Sequence, residues 1–131
     1  MPKPILAVDF DGVCTTYASG WQGIDVCNDP PVAGLEAFLR EAMPHFDVHI
    51  HSSRSSEIRG RQTMGLWFAT WFDAALLESL HFPEHKPPAM VTLDDRAITF
   101  TGTWPDVETL RAFQPWTRNS APPHEKPAED A

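Results

Sequence analysis

Four apolar residues, Ile5-Leu6-Ala7-Val8, run directly into Asp9-Phe10-Asp11-Gly12, and this junction constrains the chain more than any other segment. A short apolar run of this kind reads as a buried strand. Open α/β sheets place their ligands at the carboxyl ends of such strands, which is where Asp9 emerges. Side chains along a strand repeat every second residue, so Asp11 is expected on the side of Asp9 and Phe10 on the other. Gly12 permits a sharp turn beside them. Two carboxylates this close repel unless a proton or a cation lies between them. The pair is costly for stability alone and points to chemistry.

Further along, the chain alternates between strand-like and helix-like patterns. Residues 13–31 contain Gly20, Gly23, Pro30 and Pro31 without periodicity and read as a long loop or flap. Pro31 then opens a helix with Asp29 as a candidate cap, and Val32, Leu35, Phe38, Leu39 and Met43 recur at helical spacing until Pro44. Residues 46–51 alternate as a second strand, and Ser52-Ser53-Arg54-Ser55-Ser56 forms a polar turn. A long helix is expected over 57–80, with Met64, Trp67, Phe68, Trp71, Phe72, Ala75 and Leu76 on its apolar face. The Pro-rich stretch 81–88 connects to a third apolar strand over 89–93, which ends in Asp94-Asp95. A further short strand over 98–100 and a last helix over 105–113, with Val107, Leu110 and Phe113 facing inward, complete the pattern.

Strand alternating with helix is the signature of a parallel sheet with helices on both faces. Right-handed crossovers would bring the three strand ends to one edge, where Asp9, Asp11, Ser52, Arg54, Asp94 and Asp95 would meet. With 131 residues the chain is long enough for one domain with a core, expected over 1–116. The polar, Pro-rich residues 117–131 are expected to form a disordered acidic tail.

Composition narrows the function classes. Ten basic residues against eighteen acidic ones give a net charge of −8, so no extended nucleic-acid-binding surface is expected, although one basic pocket for a phosphate is compatible with it. No apolar run is long enough to span a bilayer and no signal peptide is evident, so a cytoplasmic protein without membrane contact is expected. Cys14 and Cys27 fit neither a disulfide framework nor a zinc-binding spacing and are expected as reduced, mostly buried thiols. His49 and His51 share a strand face, lack an evident third ligand, and are expected as partly buried histidines with their hydrogen bonds satisfied.

In order and spacing, these motifs resemble those of the haloacid dehalogenase superfamily of phosphohydrolases. Asp9-Phe10-Asp11-Gly12 is similar to its DxDG motif, and Ser52 to the Ser or Thr that ends its second strand. Lys86 resembles its third motif and Asp94-Asp95 its paired acids. The resemblance implies a three-layer, Rossmann-like sheet with helices on both faces. It implies a phosphomonoester hydrolase in which Asp9 is the nucleophile and Asp11 the general acid and base. Mg²⁺ would be held by Asp9, the Asp11 backbone carbonyl, Asp94 and, less directly, Asp95. Ser52 and Lys86 would bind the phosphoryl group, and Gly12, Ser53, Arg54 and Arg96 would contact substrate. Arg59 and Arg61 are further cationic candidates.

Only 40 residues separate Asp11 from Ser52, leaving no room for a large cap domain, so a capless, open site is implied. Such a site would admit a phosphorylated small molecule, a nucleotide or a polynucleotide end. Two alternatives stay open: an inactive module that binds phosphate and Mg²⁺, and a phosphotransferase using the same aspartyl-phosphate. The oligomeric state is left undetermined.

Overall fold

The computed structural model describes residues 2–117. The expected tail therefore lies, but for residue 117, outside the described residues. The fold is mixed α/β, built on an open sheet of three parallel strands: β1 (Ile5–Val8), β2 (Asp47–Ile50) and β3 (Val91–Leu93), in the order β2-β1-β3. Val8 is level with both Ile50 and Leu93. The residues that follow, Asp9, His51 and Asp94, thus leave the sheet side by side. Backbone bonds continue to this edge: Asp9 N–H donates to Leu93 at 2.9 Å and His51 N–H to Val8 at 3.1 Å.

Helix α1 (Leu35–Ala42) buries Leu35, Leu39 and Ala42, which recur three and four residues apart. It begins at Gly34, whose φ of 89° suits a residue without Cβ. Asp29, the expected cap, is committed elsewhere: its carboxylate accepts from the Ser19 N–H and hydroxyl at 3.0 and 2.6 Å. Phe38 remains largely exposed.

The long helix expected over 57–80 is two helices, α2 (Ile58–Trp71) and α3 (Ala74–Glu78). Phe72 turns extended, and the Asp73 carboxylate accepts the Leu76 N–H at 2.8 Å, capping a new helix. An Asp side chain that satisfies a first-turn donor competes with continuing the helix through it. Of the expected apolar face, Met64, Trp67, Phe68 and Leu76 are buried, whereas Trp71 and Ala75 are exposed. Met64, Trp67, Phe68 and Leu76 join Leu6, Val8, Phe10, Val48 and Ile50 in one core that α1 also enters. Phe10 meets the Trp67 ring edge-on at 5.1 Å.

The third strand is shorter than expected and exposed throughout, pairing with β1 on one side only. No strand forms over 98–100. The last helix, α4 (Val107–Arg111), buries none of its residues, so Val107, Leu110 and Phe113 face outward rather than into the core. Spacing reveals an apolar stripe but not whether another element lies opposite to cover it. Cys14 is buried, Cys27 partly so, and both are free thiols. Among the described residues, no helix is long and apolar enough to cross a membrane.

Candidate active site

The parallel strands deliver their carboxyl ends to a cavity of about 340 Å³ lined by Asp9, Asp11, Tyr17, His51, Ser52, Ser53, Asp94 and Arg96. β1 contributes Asp9, β2 contributes His51 and the turn after it, and β3 contributes Asp94. Asp9, Asp94 and Asp95 each offer a carboxylate oxygen, and these oxygens lie within 4.8 Å of one another.

The three acids are in electrostatic conflict. Burial holds the Asp9 carboxyl well above the usual carboxylate range, and the Asp94 charge raises it further. Asp95 is also raised by burial, while its hydrogen bond with Asp9 works in the opposite direction. Both Asp95 oxygens are buried, and no donor from outside this acid cluster reaches either of them among the described residues. A carboxyl pair relieves such a conflict with a proton or with a cation. The donor set is all oxygen, which suits a hard divalent ion such as Mg²⁺, and the residues present fit one.

Gly12 closes this cluster from behind. Its φ is 85°, and a Cβ there would collide with the Asp95 carboxylate. The Gly12 N–H is spent on the Thr15 carbonyl at 3.1 Å, and its own carbonyl accepts the Trp116 indole N–H at 2.6 Å. Gly12 therefore shapes the turn and has no N–H left to offer a substrate.

Asp11 sits beside Asp9 with its carboxylate gripped by Arg54, whose Nε and Nη2 donate to Oδ2 and Oδ1 at 2.8 and 3.0 Å. Nη1 donates to the carbonyls of Gly23 and Ile24 at 3.2 and 2.8 Å, and Nη2 also donates to Val26 at 3.0 Å. The guanidinium lies over Trp21, 4.7 Å from the ring centroid. All five N–H groups that a guanidinium offers are used. Expected to face substrate, Arg54 is instead 2% exposed and ties the 13–31 loop to Asp11. Its surroundings repay the burial of its charge in full. Close packing beneath makes this possible: a Cβ on Gly60 of α2 would strike the Arg54 backbone.

The Ser52 hydroxyl accepts the Arg54 backbone N–H at 3.0 Å and faces the Met64 sulfur at 3.4 Å. A thioether is a weak acceptor that a phosphoryl oxygen would displace. Ser53 and Arg96 line the cavity as well. The Arg96 N–H caps the Asp94 carboxylate at 2.8 Å, fixing the turn after β3. Lys86 is exposed and does not line the cavity; its charge reaches His51, whose ring burial holds below the usual imidazole range. Arg59 stands 3.7 Å from Asp25, and Arg61 donates to the Ser55 carbonyl at 2.7 Å.

Two lining residues escaped sequence reasoning as site groups. Tyr17 belongs to no motif; it is buried with φ of 55°, a strained value for a residue with a Cβ, and its N–H is taken by the Thr15 hydroxyl at 3.2 Å. His51, expected only as a partly buried histidine with its hydrogen bonds satisfied, lines the cavity directly before Ser52. His49 itself stacks on His81 at 4.7 Å, and its buried Nδ1 has no hydrogen-bond partner, contrary to the satisfied state expected.

No family model, no curated protein and no solved structure matches this chain.

Proposed function

We propose that this chain is a Mg²⁺-dependent phosphomonoester hydrolase with a haloacid-dehalogenase-like, three-layer Rossmann-type core, acting through an aspartyl-phosphate. The observation that carries the reading is the convergence of Asp9, Asp94 and Asp95, from two strand ends, on one point where both Asp95 oxygens are buried without a donor from outside the cluster. Beside that point lie a hydroxyl, Ser52, and a second acid, Asp11, in a cavity large enough for a phosphoryl group.

In this reading an Asp9 oxygen attacks phosphorus and the ester oxygen departs with a proton. Water then attacks the aspartyl-phosphate, surrenders a proton and releases phosphate and free Asp9. Asp9, Asp94 and Asp95 would hold Mg²⁺, which supplies positive charge that lets a carboxylate meet an anionic ester. Ser52 donates to a phosphoryl oxygen. Arg96 supplies cationic charge at the cavity wall. Lys86 joins them only if the 81–88 connection carries it inward from its exposed position. Taking a proton from water requires one Asp11 oxygen to leave the Arg54 fork, because both accept from it. Giving one to the leaving group requires Asp11 first to acquire a proton and loosen its hold on Arg54.

The test is release of inorganic phosphate from phenyl phosphate with Mg²⁺. Asp9→Asn should abolish it while the circular dichroism spectrum stays unchanged; undiminished release would remove Asp9 as nucleophile. One observation favours a second reading, a phosphate- and Mg²⁺-binding module without turnover: the full engagement of Asp11 by Arg54. Phosphate binding by calorimetry in a chain that releases none from any ester would select it.

A further inference from the structure

The acidic cavity has a neighbour. A groove of about 960 Å³ is lined by Ile98, Phe100, Trp104, Val107, Leu110 and Phe113, with Arg96 also on its wall. Arg96 also lines the acidic cavity, so the two cavities share this residue. The chain itself makes the connection: Asp94 bonds the Arg96 N–H, and the groove wall begins at Ile98. Within it Phe100 and Trp104 face each other at 4.7 Å with their planes 47° apart. Trp104 is 83% exposed, and none of its surroundings requires it for the core.

Building on the phosphatase reading, we infer that this groove binds the organic body of the ester, and that the body is a planar aromatic group. Three observations agree. The volume is that of a pocket for a molecule of several rings, far more than a phosphate needs. The wall is mainly aromatic and aliphatic, with Thr99, Thr101 and Thr103 adding hydroxyls, which favours a ring that carries a few polar atoms. Arg96 lines both cavities, and a guanidinium can pair with phosphate oxygens and stack on a ring. A nucleobase and a simple aryl group share this chemistry.

The test compares esters with the same scissile bond. Adenosine 5′-monophosphate and ribose 5-phosphate differ only by the base, and 2-naphthylmethyl phosphate and ethyl phosphate differ by a carbocyclic ring. With Mg²⁺, the aromatic member of at least one pair should have a kcat/KM at least tenfold higher, and Trp104→Ala should collapse that ratio toward one. The pair that shows the preference identifies the kind of ring. Ratios near one in the unaltered chain, or a ratio that survives both Trp104→Ala and Phe100→Ala, would overturn the inference. If no ester is hydrolysed, the phosphatase reading fails by itself. The groove is then judged by saturation-transfer NMR with adenosine and 2-naphthylmethanol. Binding weakened tenfold by Trp104→Ala would sustain it, and absence of binding would end it.

Discussion

Both carboxylate oxygens of Asp11 accept from the single guanidinium of Arg54, at 2.8 and 3.0 Å, across 43 residues of chain. The same guanidinium holds three carbonyls of the 13–31 loop. Loop, acid and the turn after β2 are therefore tied together through one side chain.

Removing this guanidinium should be severe, because it leaves a buried carboxylate and three carbonyls without donors. Arg54→Met is expected to cost about 3–5 kcal/mol. Arg54→Lys keeps the charge but loses the fork and should recover only a minority of that loss. Urea midpoints measure the cost. Amide exchange at residues 23–26 should accelerate in both variants, and unchanged exchange there would show that the loop is held by something else.

Two glycines of α2 should respond oppositely to the same substitution. Gly60→Ala drives a methyl into the Arg54 backbone and should destabilise by about 1–3 kcal/mol. Gly65 has open space around its Cβ position, so Gly65→Ala should gain about 0.5–1 kcal/mol from helix preference. Thermal melts of the two variants would settle the contrast.

The raised Asp9 carboxyl sets the pH dependence. Its folded value lies above its unfolded one, so its contribution to stability is complete below about pH 4. That contribution is lost as pH rises through the raised value. Without Mg²⁺, the melting temperature should carry this downward term as pH climbs. On the proposed reading Mg²⁺ takes the place of the proton, so the stabilisation it gives should grow over the same interval. Asp94→Asn should flatten that growth. A Mg²⁺ effect independent of pH would argue against ion binding at these acids.

Trp67 tests the attachment of the loop to α2. Its indole N–H donates to the Asp29 carbonyl at 2.8 Å. Trp67→Phe leaves that buried carbonyl unmet and should cost about 1–3 kcal/mol by chemical denaturation.

The parts of this molecule legible in sequence are those governed by neighbours in sequence. β1 and the paired acids follow from four apolar residues and a strand's two-residue period, and the parallel order follows from strand–helix alternation. Arg54 could not be read correctly, because its partners lie 28–43 residues away and its burial depends on Gly60 allowing close approach. Asp73 carried a cap signal, but the apolar pattern ran through it and suggested one helix. Val107, Leu110 and Phe113 have core-like spacing and no core to face. Tyr17 has no motif at all; only the fold of the loop brings it to the cavity.

The bond from the Trp116 indole to the Gly12 carbonyl gives the described chain something close to a clasp. The last described turn and the first turn of the site meet at one carbonyl, so strand β1 is fastened at its exit by residues more than a hundred positions downstream. A change at Trp116 therefore acts on the wall against which Asp95 rests.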